Sequence, residues 1–407
     1  MKFAKLLPAL AVSGLVLMAC GTTTTTSTAS PATVPASLTV SSFDVSFAAM
    51  ATLKPLHDAG SGLVGVLMPD TTSSTRWVNS DLPYLTKAFQ MAGYSSSDFK
   101  IDNAQGSDAT ELALAQADIT QGAKVLVMAP LDPTVGTQIQ ALATSKGVKL
   151  ISYDRATFTG TNTYYVSFDN VQVGKLIGDG FKACLTAWNV SNPQVFTLNG
   201  GEDTDPNAVD FAKGYNNSVW GEAVPQETVG KTANGATLVG DQVAPGWDNS
   251  KGQQIFQQAF TANKAINATI EANDGLANAV VTVLKQNNVP ANKIPTTGQD
   301  ASLGGIENVL TGYQCGTVYK PIYLEAQDAV ALATILRAGL TPPQAIVNST
   351  TSPAAGKPGS TQPASLLTPY WVDKTKVAST VIADQFVDKA ALCQAVTQAV
   401  CTANGIT

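Results

Sequence analysis

Charged, amide and tryptophan side chains that are suited to holding a polar ligand recur at seven points along this chain. Two of these points are adjacent pairs, Arg76 with Trp77 and Asp154 with Arg155. The single residues are Asn207, Trp247, Asn273, Asp300 and Lys320. Carboxylates accept hydrogen bonds, arginine and lysine donate them, amides do both, and a tryptophan ring packs on C–H groups. A ring that carries several hydroxyl groups and one C–H face, as a sugar does, matches this chemistry.

These side chains follow short apolar segments that have the pattern of buried parallel strands. "LVGVLM" (63–68) and "KVLVMAP" (124–130) are continuous apolar runs, as strands covered on both faces require. "VKLISYDR" (148–155) ends in the Asp154–Arg155 pair. Between the strands, apolar residues recur at spacings of three and four, which indicates helices. Because open parallel sheets bind ligands at the carboxyl ends of their strands, we expect these polar residues to meet.

The alternation of strand and helix occurs in two series. The first also contains strands near 99–102 and at 164–169, and the second contains strands at 194–198, 237–242, 267–274, 295–300 and 316–320. A long helix is predicted through Glu325 to Arg337, whereas 338–364 is rich in Pro, Ser, Thr and Gly and is predicted to be an irregular loop. The pattern predicts an α/β protein with two doubly wound parallel-sheet lobes.

The N-terminus has the features of a lipoprotein signal. Lys2 and Lys5 precede an apolar run, Leu6 to Met18, that is too short for an ordinary membrane span. "LMAC" then ends in Cys20, which is predicted to carry the lipid, so residues 1–20 are interpreted as the signal peptide. Residues 21–60 are interpreted as a low-complexity tether followed by an N-terminal extension. The alternative is an ordinary secretory signal with a chance cysteine.

Four further cysteines suggest disulfides in an exported chain. Cys393 and Cys401 are eight residues apart, so a local pairing is expected. Cys184 with Cys315 then follows by elimination.

Several other functions are poorly supported by the composition and motifs. The net charge of −6 disfavours nucleic acid as a partner. No cysteine or histidine spacing indicates a metal site, and no cofactor is predicted. Acidic residues follow Gly200 and Gly201, which would repel a nucleotide phosphate. The single histidine, His57, is expected in a solvated loop rather than at a catalytic centre.

Long co-linear segments resemble the periplasmic sugar-binding proteins of ABC importers, of the ribose- and galactose-binding type, and are most similar to its xylose-binding branch. The similarity covers roughly 62–390 and includes "ISYDR", "YYVSFDNVQVG", "DPNAVDFAKGY" and "TTGQDASLGGIENVLTGYQCGTVYKPI". The resemblance assigns sugar contacts to Arg76, Trp77, Asp154, Arg155, Asn207, Trp247, Asn273, Asp300 and Lys320. Pro206 replaces an asparagine of the family's "DNNA" motif, which leaves the identity of the sugar open.

The resemblance also implies how the chain is divided. Residues 61–168 plus 321–367 would form the N-terminal lobe, and 169–320 plus 368–407 the C-terminal lobe, joined by three crossovers. It implies a non-enzymatic, monomeric receptor that captures a monosaccharide such as xylose by hinge closure. An ABC permease would be its partner, and Cys20 would anchor it outside the cytoplasm. The alternatives are a receptor of this fold that feeds a sensor kinase or binds a furanosyl autoinducer, a secreted carbohydrate-active enzyme, and a repressor-like effector domain.

Overall fold

The computed structural model describes residues 32–158, 163–201, 205–224, 226–353 and 359–407. The predicted signal peptide, Cys20 and the first part of the predicted tether lie outside these ranges. None of the helices within the described ranges has the length and apolar character needed to cross a membrane.

Strands and helices alternate along most of the chain. The strands are β1 (Leu63–Met68), β2 (Phe99–Asn103), β3 (Ala123–Met128), β4 (Lys149–Tyr153), β5 (Thr163–Phe168), β6 (Gln194–Gly200), β7 (Thr232–Ala233), β8 (Ala236–Ala244), β9 (Ala268–Glu271), β10 (Thr317–Tyr319), β11 (Ser349–Thr351), β12 (Gln362–Leu367) and β13 (Tyr370–Val372). The helices are α1 (Lys54–Ala59), α2 (Leu82–Met91), α3 (Asp108–Thr120), α4 (Pro133–Ser145), α5 (Asn170–Ala187), α6 (Pro206–Trp220), α7 (Asn249–Ala262), α8 (Asp274–Gln286), α9 (Leu303–Thr311), α10 (Ile322–Arg337), α11 (Lys389–Val396) and α12 (Gln398–Ala403).

The first lobe is built on a seven-stranded sheet with the order β11-β12-β5-β4-β3-β1-β2. All neighbouring strands are parallel except the edge pair of β11 and β12. Two helix pairs, α2 with α10 and α3 with α4, pack against this sheet. The inner strand β1, which lies between β3 and β2, is buried at every position, as its continuous apolar sequence predicts.

The second lobe is built on a four-stranded sheet with the order β7-β8-β6-β9. Strands β8, β6 and β9 are parallel, and the pairs α5 with α6 and α7 with α8 pack together around them. A separate antiparallel pair joins β10 to β13. The mixed α/β architecture with parallel sheets agrees with the fold predicted from the sequence.

The strand predicted at 295–300 does not form. Backbone bonds such as that from the Thr269 N–H to the Pro295 oxygen persist, but side-chain bonds interrupt the ladder at Thr297. The Glu271 backbone N–H donates to Thr297 Oγ1 at 2.9 Å, and the Thr297 N–H donates to Glu271 Oε2 at 2.8 Å. Only Gln299 makes a regular bridge, to Val318. Conversely, the predicted loop 338–364 contains β11 and the start of β12.

His57 is also not in a solvated loop. It lies on α1, its side chain is only 15% exposed, and its ring contacts the ring of Tyr94 at a centroid distance of 4.5 Å. This helix has only six residues, too few for a helical period to be recognised in the sequence.

The segment that precedes β1 and the C-terminal tail both pack on the lobes. Leu38, Phe47 and Met50 are buried, and the Gln327 side chain donates to the backbone oxygen of Asp44 at 2.8 Å. In the tail, the Cys393–Cys401 disulfide joins α11 to α12. The second disulfide joins Cys184 of α5 to Cys315. Both pairings agree with those predicted from the sequence.

Candidate functional site

All nine residues predicted to contact a ligand line one cavity between the two lobes. Each follows the carboxyl end of a strand: residues 76 and 77 come after β1, 154 and 155 after β4, 207 after β6, 247 after β8, 273 after β9, 300 after the Gln299 bridge and 320 after β10. Parallel strands within each sheet direct these ends to one edge, so residues far apart in sequence converge. The cavity volume is about 40 Å³.

Asp154 is the centre of this cluster. Its carboxylate accepts a hydrogen bond from Arg76 Nη1 at 2.6 Å, and Lys320 Nζ lies 3.9 Å away. Burial raises the pKa of the Asp154 carboxyl, but the charges of Arg76, Lys320 and Arg155 outweigh burial and hold that pKa below its ordinary value. Asp154 therefore stays ionised and can accept hydrogen bonds at neutral pH.

Arg76 holds this carboxylate in place through a buried ion-pair network. Its guanidinium also binds both carboxylate oxygens of Asp81, at 2.9 and 2.8 Å, and Glu325 Oε2 at 2.7 Å. The π-helical turn Trp77–Asp81 brings Asp81 back beneath Arg76, five residues earlier. All four groups of the network, including Asp154, are at most 6% exposed. Arg76 thus positions Asp154, a role that the sequence alone did not indicate.

Glu325 of α10 completes the network in its protonated form. Burial raises the pKa of Glu325 to about 8, despite the opposing charge of Arg76. Its second oxygen, Oε1, has no hydrogen-bond partner among the described residues. With Glu325 neutral, two carboxylates face the single charge of Arg76 rather than three.

Lys320 links the two lobes at the base of the cavity. Its ammonium lies 3.1 Å from Asp300 Oδ1 and 3.9 Å from Asp154 Oδ1. Lys320 is only 3% exposed, so few waters compete for its N–H groups. The side chain can therefore donate to a ligand oxygen placed between the two carboxylates.

Asn207, at the start of α6, makes a direct contact between the lobes. Its amide nitrogen donates to the backbone oxygen of Asp154 at 2.8 Å and approaches Asp154 Oδ2 at 3.5 Å. Tyr165 donates to the same backbone oxygen at 2.7 Å. The α6 N-terminus is held by Asp205, which accepts from the backbone N–H groups of Asn207 and Ala208.

Trp247 and Trp77 supply aromatic walls from opposite lobes. Trp247 Nε1 donates to Asp205 Oδ2 at 2.8 Å, and its ring lies over Gly200, where a Cβ would clash with the ring at 2.0 Å. Trp77 Nε1 donates to Ser73 Oγ at 3.1 Å. The guanidinium of Arg155 lies 5.3 Å from the Trp77 ring centre, within cation–π range.

Asn273 combines a capping role with a place in the cavity wall. Its side-chain oxygen accepts from the backbone N–H of Leu276 at 2.9 Å and caps α8. The amide nitrogen is then the group left for a ligand. The neighbouring Asp274 is held away from this task, because it accepts from Gln314 Nε2 at 2.8 Å and from the Ser302 N–H at 2.8 Å.

Three of the predicted residues have unusual backbone conformations. Asp154, Trp247 and Asp300 have φ values of 61°, 59° and 95°, in the left-handed region that residues other than glycine seldom adopt. Such conformations are often retained at functional sites, where the surrounding structure holds them. Here they turn the chain sharply after β4, after β8 and after the Gln299 bridge.

Five further residues line the cavity: Ser73, Ser74, Asp205, Phe211 and Gln299. Phe211 lies on the same face of α6 as Asn207, four residues later, so helical spacing contains the signal that would identify it. Phe211 is 2% exposed and also belongs to the apolar core of the second lobe. No group of three or more metal-binding side chains occurs within the described part of the chain.

The chain is similar to known proteins in sequence and in fold. Residues 64–340 match the periplasmic binding protein domain. The chain is 32% identical over 328 residues to the multiple sugar-binding periplasmic protein SbpA of Azospirillum brasilense, covering 78% of this chain and 88% of that protein. It is 31% identical over 288 residues to the D-xylose-binding periplasmic protein of Escherichia coli K12, covering 70% and 80%.

Solved structures share the fold. The carbohydrate transporter solute-binding protein of Chloroflexus aurantiacus, determined with D-glucose, superposes with a TM-score of 0.68 and 24% identity over 81% of this chain and 98% of that one. An ABC transporter solute-binding protein of Clostridium phytofermentans, with β-D-glucose bound, gives a TM-score of 0.69 and 24% identity over 81% and 99%.

Proposed function

Because the chain belongs to the periplasmic binding protein family, we propose that it captures a monosaccharide, xylose or a similar aldose, between its lobes and delivers it to an ABC permease. It is a sugar-binding protein of the ABC transporter type and not an enzyme. One observation carries the choice of ligand class. Hydroxyl-binding side chains from both lobes, with a tryptophan from each, line the same cavity.

The polar groups of this cavity suit the hydroxyls of a neutral sugar. Asp154 and Asp300 accept, whereas Arg155, Lys320 and the amide nitrogen of Asn273 donate. Each hydrogen bond to a charged group contributes about 1.5–3 kcal/mol. A few of them supply the roughly 8 kcal/mol of micromolar binding after the entropy of association is subtracted.

Capture proceeds by rotation of the lobes about the crossovers. The cavity volume of about 40 Å³ is close to the space of one or two waters, so a sugar ring enters with the lobes further apart. Two of the predicted crossovers lie side by side, since the Asp169 backbone N–H donates to the Leu367 oxygen at 3.0 Å. A sugar that bonds to both lobes favours the closed arrangement by its differential contacts. We assign the lobes the boundaries predicted from the sequence.

Calorimetric titration with xylose, ribose, arabinose, glucose and galactose tests the ligand class. We expect at least one sugar to bind with micromolar or higher affinity. Succinate, an anion without hydroxyl groups, should not bind. If none of the monosaccharides gives a heat of binding, the proposal is refuted. Uptake of the bound sugar in cells that carry or lack the cognate permease tests delivery.

The lipid anchor is tested separately. We expect the mature protein to fractionate with membranes and its N-terminal peptide to carry acyl chains on Cys20. Cys20→Ala should abolish both results without changing sugar affinity, because the cavity is formed by residues from 73 onward. An unacylated mature N-terminus in the wild-type protein would leave the ordinary secretory signal as the correct interpretation.

A further inference from the structure

A second and much larger cavity adjoins the one that holds the nine predicted residues. Its volume is about 450 Å³, within the range of small-molecule pockets. The two cavities share four residues: Ser73, Arg155, Asp205 and Trp247. The cavity that contains the nine predicted residues is the inner cavity, and the larger one is the outer cavity; both lie between the lobes. Its first-lobe wall contains residues 130–134 and its second-lobe wall contains Pro206 and Gly246.

We propose that the outer cavity is a second sugar-ring subsite, so that the protein takes a neutral disaccharide as well as a monosaccharide. This inference rests on the proposed function, because the first ring occupies the inner cavity as described above. The second ring, joined to it through a glycosidic oxygen, lies in the outer cavity.

The walls of the outer cavity have the two surfaces that a sugar ring requires. Carboxylates of Asp70, Asp108, Asp132 and Asp205 provide hydrogen-bond acceptors. Apolar surface for the C–H face comes from Pro130, Leu131, Pro133, Ala156 and Pro206.

The four carboxylates of the outer cavity differ in how far the protein's own hydrogen bonds already occupy their oxygens. Asp70 binds the backbone N–H groups of Thr72 and Ser73, and Asp205 caps α6, so these two shape the cavity. Asp132 caps α4 through Oδ1, at 2.5 Å from the Thr134 nitrogen, and its side chain also contacts Asp108. Asp108 faces Asp132 from the start of α3. Burial and then the charge of Asp132 raise the pKa of Asp108, so a hydroxyl donor placed between the two carboxyls relieves their repulsion.

The charges of this cavity restrict the second ring to neutral sugars. Four carboxylates line it against the one guanidinium of Arg155. An anionic ring, such as a uronic acid or a sugar phosphate, meets net repulsion there. A neutral ring with free hydroxyls does not.

Arg155 lies at the boundary between the cavities. Its Nη1 donates to the backbone oxygens of Pro130 at 3.1 Å and Leu131 at 3.3 Å, which fixes the guanidinium at the wall of the outer cavity. Its Nη2 approaches Ser73 Oγ at 3.5 Å. Because Arg155 lines both cavities, its remaining N–H groups face the place where two linked rings meet.

The test compares monosaccharides with the disaccharides built from them, xylobiose, cellobiose, maltose and lactose, by calorimetry. The blocking variant is Thr134→Trp, because Thr134 is exposed, lines the outer cavity and is absent from the inner one. The matched control is Thr144→Trp, which places the same bulky side chain at an exposed position of the same helix, outside both cavities.

We expect the wild-type protein to bind at least one disaccharide. Thr134→Trp should weaken that binding at least 30-fold and leave monosaccharide affinity within threefold, whereas Thr144→Trp should change neither. Monosaccharide binding without any disaccharide binding would overturn the second subsite and keep the proposed function. Equal disaccharide affinity in both variants would also overturn it. Failure of all sugars to bind would overturn both proposals.

Discussion

Replacing Asp154 with asparagine removes one charge from the centre of the inner cavity while keeping its shape. Asparagine is the right probe because the backbone φ of 61° suits Asn almost as well as Asp, whereas alanine would add backbone strain of about 1–2 kcal/mol. The remaining ions keep partners. Arg76 retains Asp81 and Glu325, and Lys320 retains Asp300. We therefore expect a folded protein with impaired sugar binding.

The size of the loss follows from the hydrogen bonds of the carboxylate. Asp154 Oδ1 accepts from Arg76 at 2.6 Å, but the contact of Oδ2 with Asn207 is long, at 3.5 Å. The carboxylate thus has capacity for about two sugar hydroxyls. A charged acceptor is worth about 1–1.5 kcal/mol more than a neutral one per hydrogen bond. Two bonds give about 2–3 kcal/mol, so Kd should rise roughly 30- to 150-fold.

Calorimetry with the best monosaccharide measures this change, and thermal unfolding without sugar checks the fold. The control is Asp388→Asn, since Asp388 is an exposed helix cap at α11 and asparagine caps helices equally well. It should leave Kd and Tm unchanged. A Kd for Asp154→Asn within threefold of the wild-type value would contradict the proposal that this carboxylate is a main hydrogen-bond acceptor for the sugar.

Two further predictions concern stability. Serine replacement of Cys184 and Cys315 should lower the free energy of unfolding by about 5 kcal/mol, because this disulfide closes a loop of 131 residues. Replacement of Cys393 and Cys401, which close a loop of 8 residues, should lower it by about 2.5 kcal/mol. Equal losses of unfolding free energy in denaturant titrations would contradict loop entropy as the cause. Burial raises the pKa of Glu271 to about 8, far above its value in the unfolded chain. Between these two pKa values the folded state binds a proton that the unfolded chain has lost. The free energy of unfolding therefore falls from about pH 4.5 to about pH 8, by about 1.4 kcal/mol per pH unit. Glu271→Gln should remove one such contribution, and an unchanged slope of unfolding free energy against pH would count against a buried, protonated carboxyl.

The strand ends of this protein were predictable because two local signals coincide there. An apolar run indicates a buried strand, and a polar residue directly after it has no place in the core. Asp154 and Lys320 were identified in this way, and the structure brings them to within 3.9 Å of each other. Neither signal depends on knowing which other segment lies nearby.

The supporting network was not predictable from local patterns. Arg76 contacts Asp81 through a π-helical turn that ordinary helical spacing does not reveal. Its partner Glu325 lies 249 residues away on a long helix and has the sequence character of a surface residue. The missing strand at 295–300 has a similar cause, since Thr297 replaces ladder bonds with side-chain bonds to Glu271. Each depends on a contact between distant segments.

The six residues from Lys320 to Glu325 explain how ligand capture and lobe movement can be coupled. Lys320 approaches Asp300 of the second lobe and Asp154 of the first. Pro321 follows at the N-cap position of α10, and this helix carries Glu325 back to Arg76. In the proposed mode of binding, a sugar hydroxyl between Lys320 and Asp154 would therefore act on the predicted crossover between the lobes. Bonds made there would favour a rotation of the lobes, and this rotation changes the distance between the two sets of strand ends.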